Sequence, residues 1–567
     1  MSLFIYLFKM IRKKIIIRIG IFILLSTSCI AQQLTPIKAP TVVFKNNLTV
    51  GIRASWQHLD IEKDTIAGTS LNRAYKEILK GKKGKTVIVA VIDTDIDIDH
   101  EDLKTAIWVN KKEIPNNGID DDHNGYIDDV NGWNFLGNKN GESTYIANTA
   151  SIRILRDLKK KYSTYPDFKG NKSDSLLNIK ALNAYKKDTE ESDFYRKNAH
   201  NNILIFTEAE KVLKKYFNKS DYTYPQLDRL DKENQKSSDK ELLENLYNLK
   251  YYVRLGKNLQ ELKKDSIREE EKFRLSKNEN YYDRKIIGDN EYDVNDRFYG
   301  NSNVSKNAKI TQHGTYVSGV IAANRSNKIG IEGFSDSIQI MPIIAAPMCG
   351  LEHDKDIALA IRYAVDNGAK IINMSFGYPM STRPDWIKEA FLYAEKHDVL
   401  LVAGSGNDAS NNDIVPFYAL DYDEVTGMEY CNNYIKVGSI TTDGDTNFLP
   451  PYSNYGKKTV DIFAPGHFLK TTDANVGYSF QDGTSMAGPI VCGVAALVRS
   501  YYPKLNASQI KKIILDSGVA YDLQVQVPGE KEGVLKSFSE MSKSGKVVNV
   551  YNALLLADKV IPITFVK

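Results

Sequence analysis

Three polar residues of this sequence lie where an apolar segment begins or ends. Asp93 ends the β-branched run 86–92, His313 precedes a segment of small residues, and Ser485 precedes the apolar run 490–498. A serine hydroxyl is a weak nucleophile until a base takes its proton, an imidazole can be that base, and a carboxylate can orient the imidazole. These residue types suit nucleophilic hydrolysis if the fold brings them together.

Each of the three residues also has an ordinary structural explanation. Acidic residues often end strands, a histidine at the start of a helix is commonly just a polar end residue, and serine is a favoured N-cap. The small residues Gly314, Ser318 and Gly319 would let the helix after His313 approach its neighbours closely. Taken singly, the residues leave both interpretations open.

The elements that must position these residues alternate between strand and helix. Helical patterns occur at 354–367 and 385–396. They lie between apolar runs that are typical of strands buried on both faces. These runs are 86–92, 338–344, 371–374, 399–403, 435–440 and 460–464. This alternation predicts an α/β fold with a doubly wound, mostly parallel sheet flanked by helices. The chemistry of such folds lies at the carboxyl ends of the strands.

One long segment breaks the alternation. Residues 138–295 are rich in Lys, Glu, Asn and Tyr and contain helical stretches such as 208–217 and 240–255. We expect a mainly helical, charged insertion on the surface of the core, and a substrate-gating or partner-binding role is the alternative. The predicted organisation is a signal peptide (1–31), an N-terminal extension (32–85), a first core part (86–137), the insertion (138–295) and a second core part (296–567).

The order Asp93, His313, Ser485 resembles that of the subtilisin-like serine proteases. The motifs that carry the resemblance are VIDTD (91–95), QHGTYVSG (312–319) and DGTSMAGP (482–489). Over residues 86–552, apart from the insertion, the resemblance implies a serine endopeptidase with Ser485 as nucleophile, His313 as base and Asp93 as the orienting carboxylate. Two features depart from the family. Asp95 stands where a glycine is usual, so a left-handed turn is expected there, and 220 positions separate Asp93 from His313.

The same resemblance implies the oxyanion and substrate sites. Asn407, in the segment VAGSGN (402–407), would donate to the oxyanion together with the backbone N–H of Ser485. Ser375, Phe376 and Gly377 resemble the edge that pairs with an extended substrate backbone, while Gly404, Ser405 and Gly406 would floor the primary specificity pocket. Because main-chain pairing tolerates many sequences, we expect broad specificity, with apolar or aromatic side chains preferred before the cut.

An acidic loop suggests a structural calcium site. Oxygen ligands occur at Asp120, Asp122, Asn124 and Asp128, and Gly125 permits a sharp turn, as in the first half of a calcium loop. The twelfth position is Asn131 and not a bidentate Glu, which argues against an EF-hand. A solvated acidic turn is the alternative, and the scattered histidines disfavour zinc.

The N-terminus predicts export. A basic flank precedes the short apolar run 19–25, and cleavage after Ala31 would release a secreted or periplasmic protein. The segment ending at Cys29 also resembles a weak lipoprotein box, so a lipidated Cys29 that tethers the chain to a membrane is the alternative. The other three cysteines, Cys349, Cys431 and Cys492, are an odd number, so at least one free thiol is expected.

The amino-acid composition limits the classes of molecule that this protein is expected to bind. The 567 residues carry 75 Lys and Arg against 71 Asp and Glu, a balance that argues against phosphate-driven nucleic-acid binding. Protein or peptide substrates are expected, with no organic cofactor. The rival to the protease hypothesis is a non-catalytic binding protein that keeps the fold and uses the insertion to hold a partner.

Overall fold

The computed structural model of the protein describes residues 35–39, 52, 54–166, 170–217, 222–423 and 426–560. Contacts group Lys38–Lys567 into one compact unit, separate from Met1–Ile37. The predicted signal peptide, its cleavage site and Cys29 lie outside the described residues. Within the described ranges, no helix has the length and apolar character needed to cross a membrane.

A large sheet forms the centre of the molecule. The strands are β1 (Val87–Asp93), β2 (Trp133–Asn134), β3 (Ile338–Ile344), β4 (Ile371–Met374), β5 (Leu400–Gly404), β6 (Tyr434–Ile440), β7 (Ile462–Pro465), β8 (Leu469–Asp473), β9 (Gly477–Gln481), β10 (Val519–Ala520), β11 (Gln524–Gln526), β12 (Leu535–Ser537) and β13 (Lys546–Val547). The order in the main sheet is β10-β13-β7-β6-β5-β4-β1-β3-β2, and only the pair β10–β13 is antiparallel. The pairs β8–β9 and β11–β12 form two small antiparallel sheets.

The helices surround this sheet. They are α1 (Leu71–Glu77), α2 (Ala150–Lys161), α3 (Lys172–Leu213), α4 (Tyr224–Asn234), α5 (Lys240–Arg254), α6 (Leu259–Glu271), α7 (Arg284–Ile287), α8 (Ala308–Thr311), α9 (His313–Ala322), α10 (Asp354–Asp366), α11 (Pro384–Lys396), α12 (Thr484–Tyr501), α13 (Ala507–Ser517) and α14 (Val550–Val560). Within the described residues, a π-helical turn (Lys272–Ser276) and two 3-10 turns (Trp56–His58 and Phe538–Glu540) accompany these helices.

The central strands are apolar because helices cover them on both faces. Ala90 and Ile92 pack in one cluster with Leu359 of α10 and Phe391 of α11, and α9 and α12 also contact β1. Alternate residues of a strand face opposite sides, so a strand buried on both faces reads as a continuous apolar run. The predicted α/β class, with a mostly parallel sheet and flanking helices, is confirmed.

Two predicted elements change their boundaries by more than one residue. The last predicted strand begins at Ile462 and not at Val460, because the Val460 N–H bonds back to the Gly456 carbonyl in a turn. The helical stretch predicted at 208–217 is the end of the 42-residue helix α3. The earlier turns of α3 have few buried side chains, so their apolar pattern is too sparse to reveal a helix.

The region of the predicted insertion is helical from α2 to α7 and has small cores of its own. One core joins α3 to α5 and α6 through buried residues such as Phe206, Leu246 and Leu262. A second core joins α2 to α3 around Leu155 and Ala181. The helices therefore stabilise one another rather than extending the central sheet.

Candidate active site

Asp93 lies at the carboxyl end of β1 and is buried. Its Oδ1 accepts hydrogen bonds from the Thr94 N–H at 2.7 Å and from His313 Nδ1 at 2.8 Å. Thr94 Oγ1 in turn accepts from the Gly314 N–H at 2.9 Å. A Cβ on Gly314 would lie 2.3 Å from the Thr94 carbonyl oxygen, so only glycine lets α9 begin this close to β1.

His313 opens α9, as predicted, and is oriented by Asp93. With Nδ1–H donating to the carboxylate, Nε2 keeps its lone pair for a proton from a nucleophile. Burial opposes the charged imidazole, but attraction to Asp93, its hydrogen bond and the more distant Glu352 outweigh that and raise the pKa of His313 above its ordinary 6.5. The side chain keeps 34% of its surface exposed, so a substrate can reach it.

Ser485 lies in the first turn of α12, one residue inside the helix. Gly483, and not Ser485, occupies the N-cap position, with φ of 142°. A Cβ on Gly483 would lie 2.9 Å from Ser485 Oγ, 3.4 Å from Asn407 Nδ2 and 3.6 Å from the Ser485 nitrogen. These three atoms therefore surround one small space that a larger residue would fill.

Asn407 lies just after β5 and is fixed by its amide oxygen. Its Oδ1 accepts from the Thr484 N–H at 2.9 Å and from Thr484 Oγ1 at 3.1 Å. The amide nitrogen is thereby turned toward the space beside Ser485. The Asn407 amide and the backbone N–H of Ser485 border the same space, and two N–H donors directed at one point can stabilise a developing oxyanion.

The hydroxyl of Ser485 and the imidazole of His313 are not hydrogen-bonded within the described part of the chain. Active-site hydrogen bonds are often long in proteins without substrate and shorten in the Michaelis complex. The Asp93–His313 contact of the predicted triad is formed, and Ser485 Oγ and Asn407 Nδ2 border the same small space. The hydrogen bond between His313 and Ser485 is not formed.

The predicted substrate edge contacts the helix that carries Ser485. Ser375 Oγ donates to the Ser485 carbonyl at 2.9 Å. This carbonyl is available because Pro489, four residues later, has no N–H. Pro489 lies in the second turn of α12, where the missing helical bond is replaced by this contact. Phe376 lines a cavity that also contains His313.

Glycines shape the other predicted pocket residues. Gly377 lies so close to the Tyr418 carbonyl that a Cβ would come within 2.5 Å of it. Gly406 has φ of 106°, and its Cβ would lie 2.3 Å from Asn454 Nδ2. Ser405 is buried and donates to the Asn454 carbonyl, while Gly404 lies against the backbone of Thr484. The segment 404–406 is thereby held between β6 and the start of α12.

The family model described as "Subtilase family" matches residues 84–538, most of the chain. The chain belongs to the subtilase family. It is 34% identical over 191 residues to "Thermophilic serine proteinase" of Bacillus sp. (strain AK1), a match that covers 34% of this chain and 43% of that protein. It is 32% identical over 211 residues to subtilisin DY of Bacillus licheniformis, which covers 37% of this chain and 71% of that protein.

Among solved structures, a protease from Pseudoalteromonas arctica PAMC 21717 is similar at 26% identity. The match covers 43% of this chain and 70% of that chain, with a TM-score of 0.34. The relatives of this subtilase thus include one named as a serine proteinase.

Asp95, where this subtilase departs from the family, does not adopt the expected left-handed conformation. Its buried carboxylate accepts a hydrogen bond from the Asn307 N–H at 2.8 Å. Burial raises the pKa of Asp95 to about 6, although that hydrogen bond opposes the shift. The turn is held by this side-chain contact rather than by a special backbone conformation.

The acidic loop does not gather all four predicted ligands. Carboxylate oxygens of Asp120 and Asp122 lie within 4.8 Å of one another and of Glu113, which the sequence pattern missed. Asp128 instead accepts from the Asn117 and Gly118 N–H groups, and Asn124 Oδ1 accepts from the Tyr126 N–H. Glu113 lies outside the acidic motif, so no signal in the motif pointed to it.

Four further residues near His313 were missed. Glu352 is buried, lines the cavity beside His313, and its Oε2 has no hydrogen-bond partner among the described residues. Leu255, Lys257 and Arg268 come from the predicted insertion and line the same cavity. The position of Glu352 shortly after β3 offered a signal, since the carboxyl ends of strands carry the site. Nothing in the sequence pointed to the other three.

The cysteines outside the signal segment, Cys349, Cys431 and Cys492, are free and buried. Cys492 lies in α12, and its Sγ is 3.3 Å from Asn373 Oδ1. Burial raises the pKa of all three thiols, that of Cys349 to about 11. The expectation of at least one free thiol is confirmed for the described residues.

Proposed function

We propose that this subtilase is a serine endopeptidase that hydrolyses peptide bonds through an acyl-enzyme formed on Ser485. The observation that carries the proposal is the 2.8 Å bond from His313 Nδ1 to Asp93. Family membership and the shared space between Ser485 and Asn407 support it. Broad specificity is part of the proposal because an extended substrate would pair through its main chain along residues 375–377.

The reaction uses the groups in a fixed order. Ser485 Oγ attacks the carbonyl carbon of the scissile bond as its proton passes to His313 Nε2, and Asp93 stabilises the imidazolium. The carbonyl oxygen, now negative, accepts from Asn407 Nδ2 and the Ser485 N–H. The C–N bond then breaks as His313 returns the proton to the leaving amine. Water then attacks the ester carbon as its proton passes to His313 Nε2, and the ester C–O bond breaks as His313 returns the proton to Ser485 Oγ.

We also propose that the protein is exported from the cell interior. The basic and apolar pattern of residues 1–31 supports secretion, and Cys29 supports a lipid tether as its alternative. Mass spectrometry of the mature N-terminus distinguishes the two, since cleavage after Ala31 leaves Gln32 first whereas a lipoprotein begins with a modified Cys29.

We further propose that the acidic loop binds calcium between Glu113, Asp120 and Asp122. Burial raises the pKa of Glu113; the backbone N–H groups of Asp122 and Asp121 oppose this shift, while repulsion from the carboxylates of the same two residues adds to it. A cation would relieve this crowding of carboxylates. EGTA should lower the thermal midpoint of the wild type. The Asp120→Asn variant should start lower and respond less, whereas an EGTA-insensitive wild type contradicts the site.

A fluorophosphonate probe tests the protease itself. The folded wild type should label on one serine and cleave casein, and Ser485→Ala should do neither at an unchanged thermal midpoint. Ser479→Ala is a matched control, because Ser479 is another buried serine that instead donates to Asp473. A folded wild type that neither labels nor cleaves would favour a non-catalytic binding protein.

A further inference from the structure

Parts of the insertion line the cavity beside His313. This cavity, of about 390 Å³, is bounded on the core side by residues that include His313, Glu352 and Phe376. Its other side is formed by Leu255 and Lys257, which follow α5, and by Arg268 of α6. The catalytic imidazole therefore does not face open solvent on this side.

A second cavity, of about 250 Å³, lies at the other end of the substrate edge. Gly377, Asp408 and Phe417 of the core line it together with Glu191 and Tyr195 of α3. Phe376 contributes to the first cavity and Gly377 to the second. Helices of the insertion therefore stand over the edge 375–377 on both sides.

Two arginines attach the insertion to the loops that carry the catalytic residues. Arg254, at the end of α5, lies 3.6 Å from the Asp482 carboxylate and 3.6 Å above the ring of Phe468. Asp482 is three residues before Ser485. Arg268 donates to the Ile310 carbonyl at 2.6 Å, three residues before His313.

The turn between α5 and α6 packs against the hairpin β8–β9. Gly256 has φ of 67°, and a Cβ there would lie 2.9 Å from Val476 Cγ2. Lys257 is half-buried, and burial together with Arg268 lowers its pKa to about 8. Its ammonium also pairs with Asp265 of α6 at 2.9 Å, so the turn is fixed to α6 as well as to the hairpin.

From these contacts we infer that α3, α5 and α6 form a roof over the substrate cleft that restricts this enzyme to narrow, extended polypeptides. The inference rests on the proposed function. In a folded substrate protein, the peptide bonds that proteases cut lie in exposed loops. The folded parts on either side of such a loop are too bulky to pass under the roof. A peptide with free ends can enter as a single extended strand and pair along residues 375–377.

The test compares one cleavable sequence in two settings. A quenched fluorescent peptide of about 20 residues, roughly 70 Å when extended, is assayed free and as the linker between two folded fluorescent domains. The wild type should cleave the free peptide with a kcat/KM at least about tenfold higher than the flanked linker. A subtilisin without the insertion should give a ratio near one.

Variants of the roof sharpen the test. Arg254→Ala, Arg268→Ala and the double variant should lower the ratio stepwise toward that of subtilisin, mainly by faster cleavage of the flanked linker. Arg229→Ala is the matched control, because Arg229 lies on α4, is 80% exposed and pairs only within its helix with Glu233. It should keep the wild-type ratio.

The outcomes separate a failure of the roof inference from a failure of the proposed protease function. A wild-type ratio equal to that of subtilisin overturns the roof while leaving the protease intact, and this comparison does not depend on any variant folding. A ratio that the folded double variant leaves unchanged also overturns it. A wild type that cleaves no free peptide and takes up no fluorophosphonate overturns the proposed function, and the roof's role falls with it.

Discussion

The core and the roof border the same cleft but are built differently. Strand β1 has no exposed side-chain surface over Val89–Ile92, and the hydrogen bond from His313 to Asp93 lies at its end. The roof borders the cleft through side chains of several kinds, such as Arg268 of α6 and Tyr195 of α3, and its helices leave large apolar side chains such as Ile179 and Phe194 exposed. Catalytic atoms must be held to tenths of an ångström, whereas a barrier to bulky substrates need not be.

Between the two regions lies a buried ionic seam. Arg284 of α7 bonds Asp356 of α10 at 2.6 and 3.0 Å, and it also pairs with Asp289. All three side chains are fully buried, and Lys355 completes the network through Asp289. The seam ties the chain leaving the insertion to a core helix, so the roof has a rigid base beneath its exposed outer face.

Removing the orienting carboxylate should have the largest effect. Asp93→Asn keeps the shape of the side chain but favours the wrong imidazole tautomer, so kcat should fall on the order of 10⁴-fold. The thermal midpoint and the binding of a peptide product should change little. Activity within about tenfold of wild type would mean that His313 is oriented by something other than the core strand.

Breaking the seam should affect stability more than chemistry. Arg284→Ala leaves buried carboxylates without their cation and should lower the free energy of unfolding by about 3–5 kcal/mol, measured by urea denaturation. Lys211→Ala, which removes an exposed pair with Glu208 on α3, should leave it unchanged. Equal effects would contradict the distinction between a rigid base and a loosely held outer face.

This difference also explains what could be predicted from the sequence. Strands buried on both faces read as short, continuous apolar runs, so the sheet and the ends that carry Asp93 and Asn407 were predictable. The polar turns of α3 have no strong period, and its length was missed. Lys257 and Arg268 reach the cleft only through tertiary packing, which no local pattern records. Glu113 was missed for the same reason.

Truncating the oxyanion donor should have an intermediate effect within the core. Asn407→Ala should lower kcat about 10²–10³-fold with little change in KM, because the amide contacts charge that develops only in the transition state. Asn411→Ala is a neighbouring control in the same loop. A change in KM alone would instead make Asn407 a ground-state binding residue.

The smallest effect is expected from changing Glu352, which follows β3 and lines the cavity beside His313. The pKa of His313 is raised by Asp93 and further by Glu352, and burial raises the pKa of Glu352 itself to about 8. Because only the neutral imidazole can accept the Ser485 proton, kcat/KM should rise with pH through a value above 6.5, the ordinary pKa of histidine. Glu352→Gln removes one source of that raised pKa, but burial keeps Glu352 largely protonated below about pH 8, so the acidic limb of the profile should move only slightly to lower pH. Glu233→Gln, an exposed change on α4, should leave the limb in place, and a limb that ignores Glu352→Gln would show that the core strand alone sets the basicity of the imidazole.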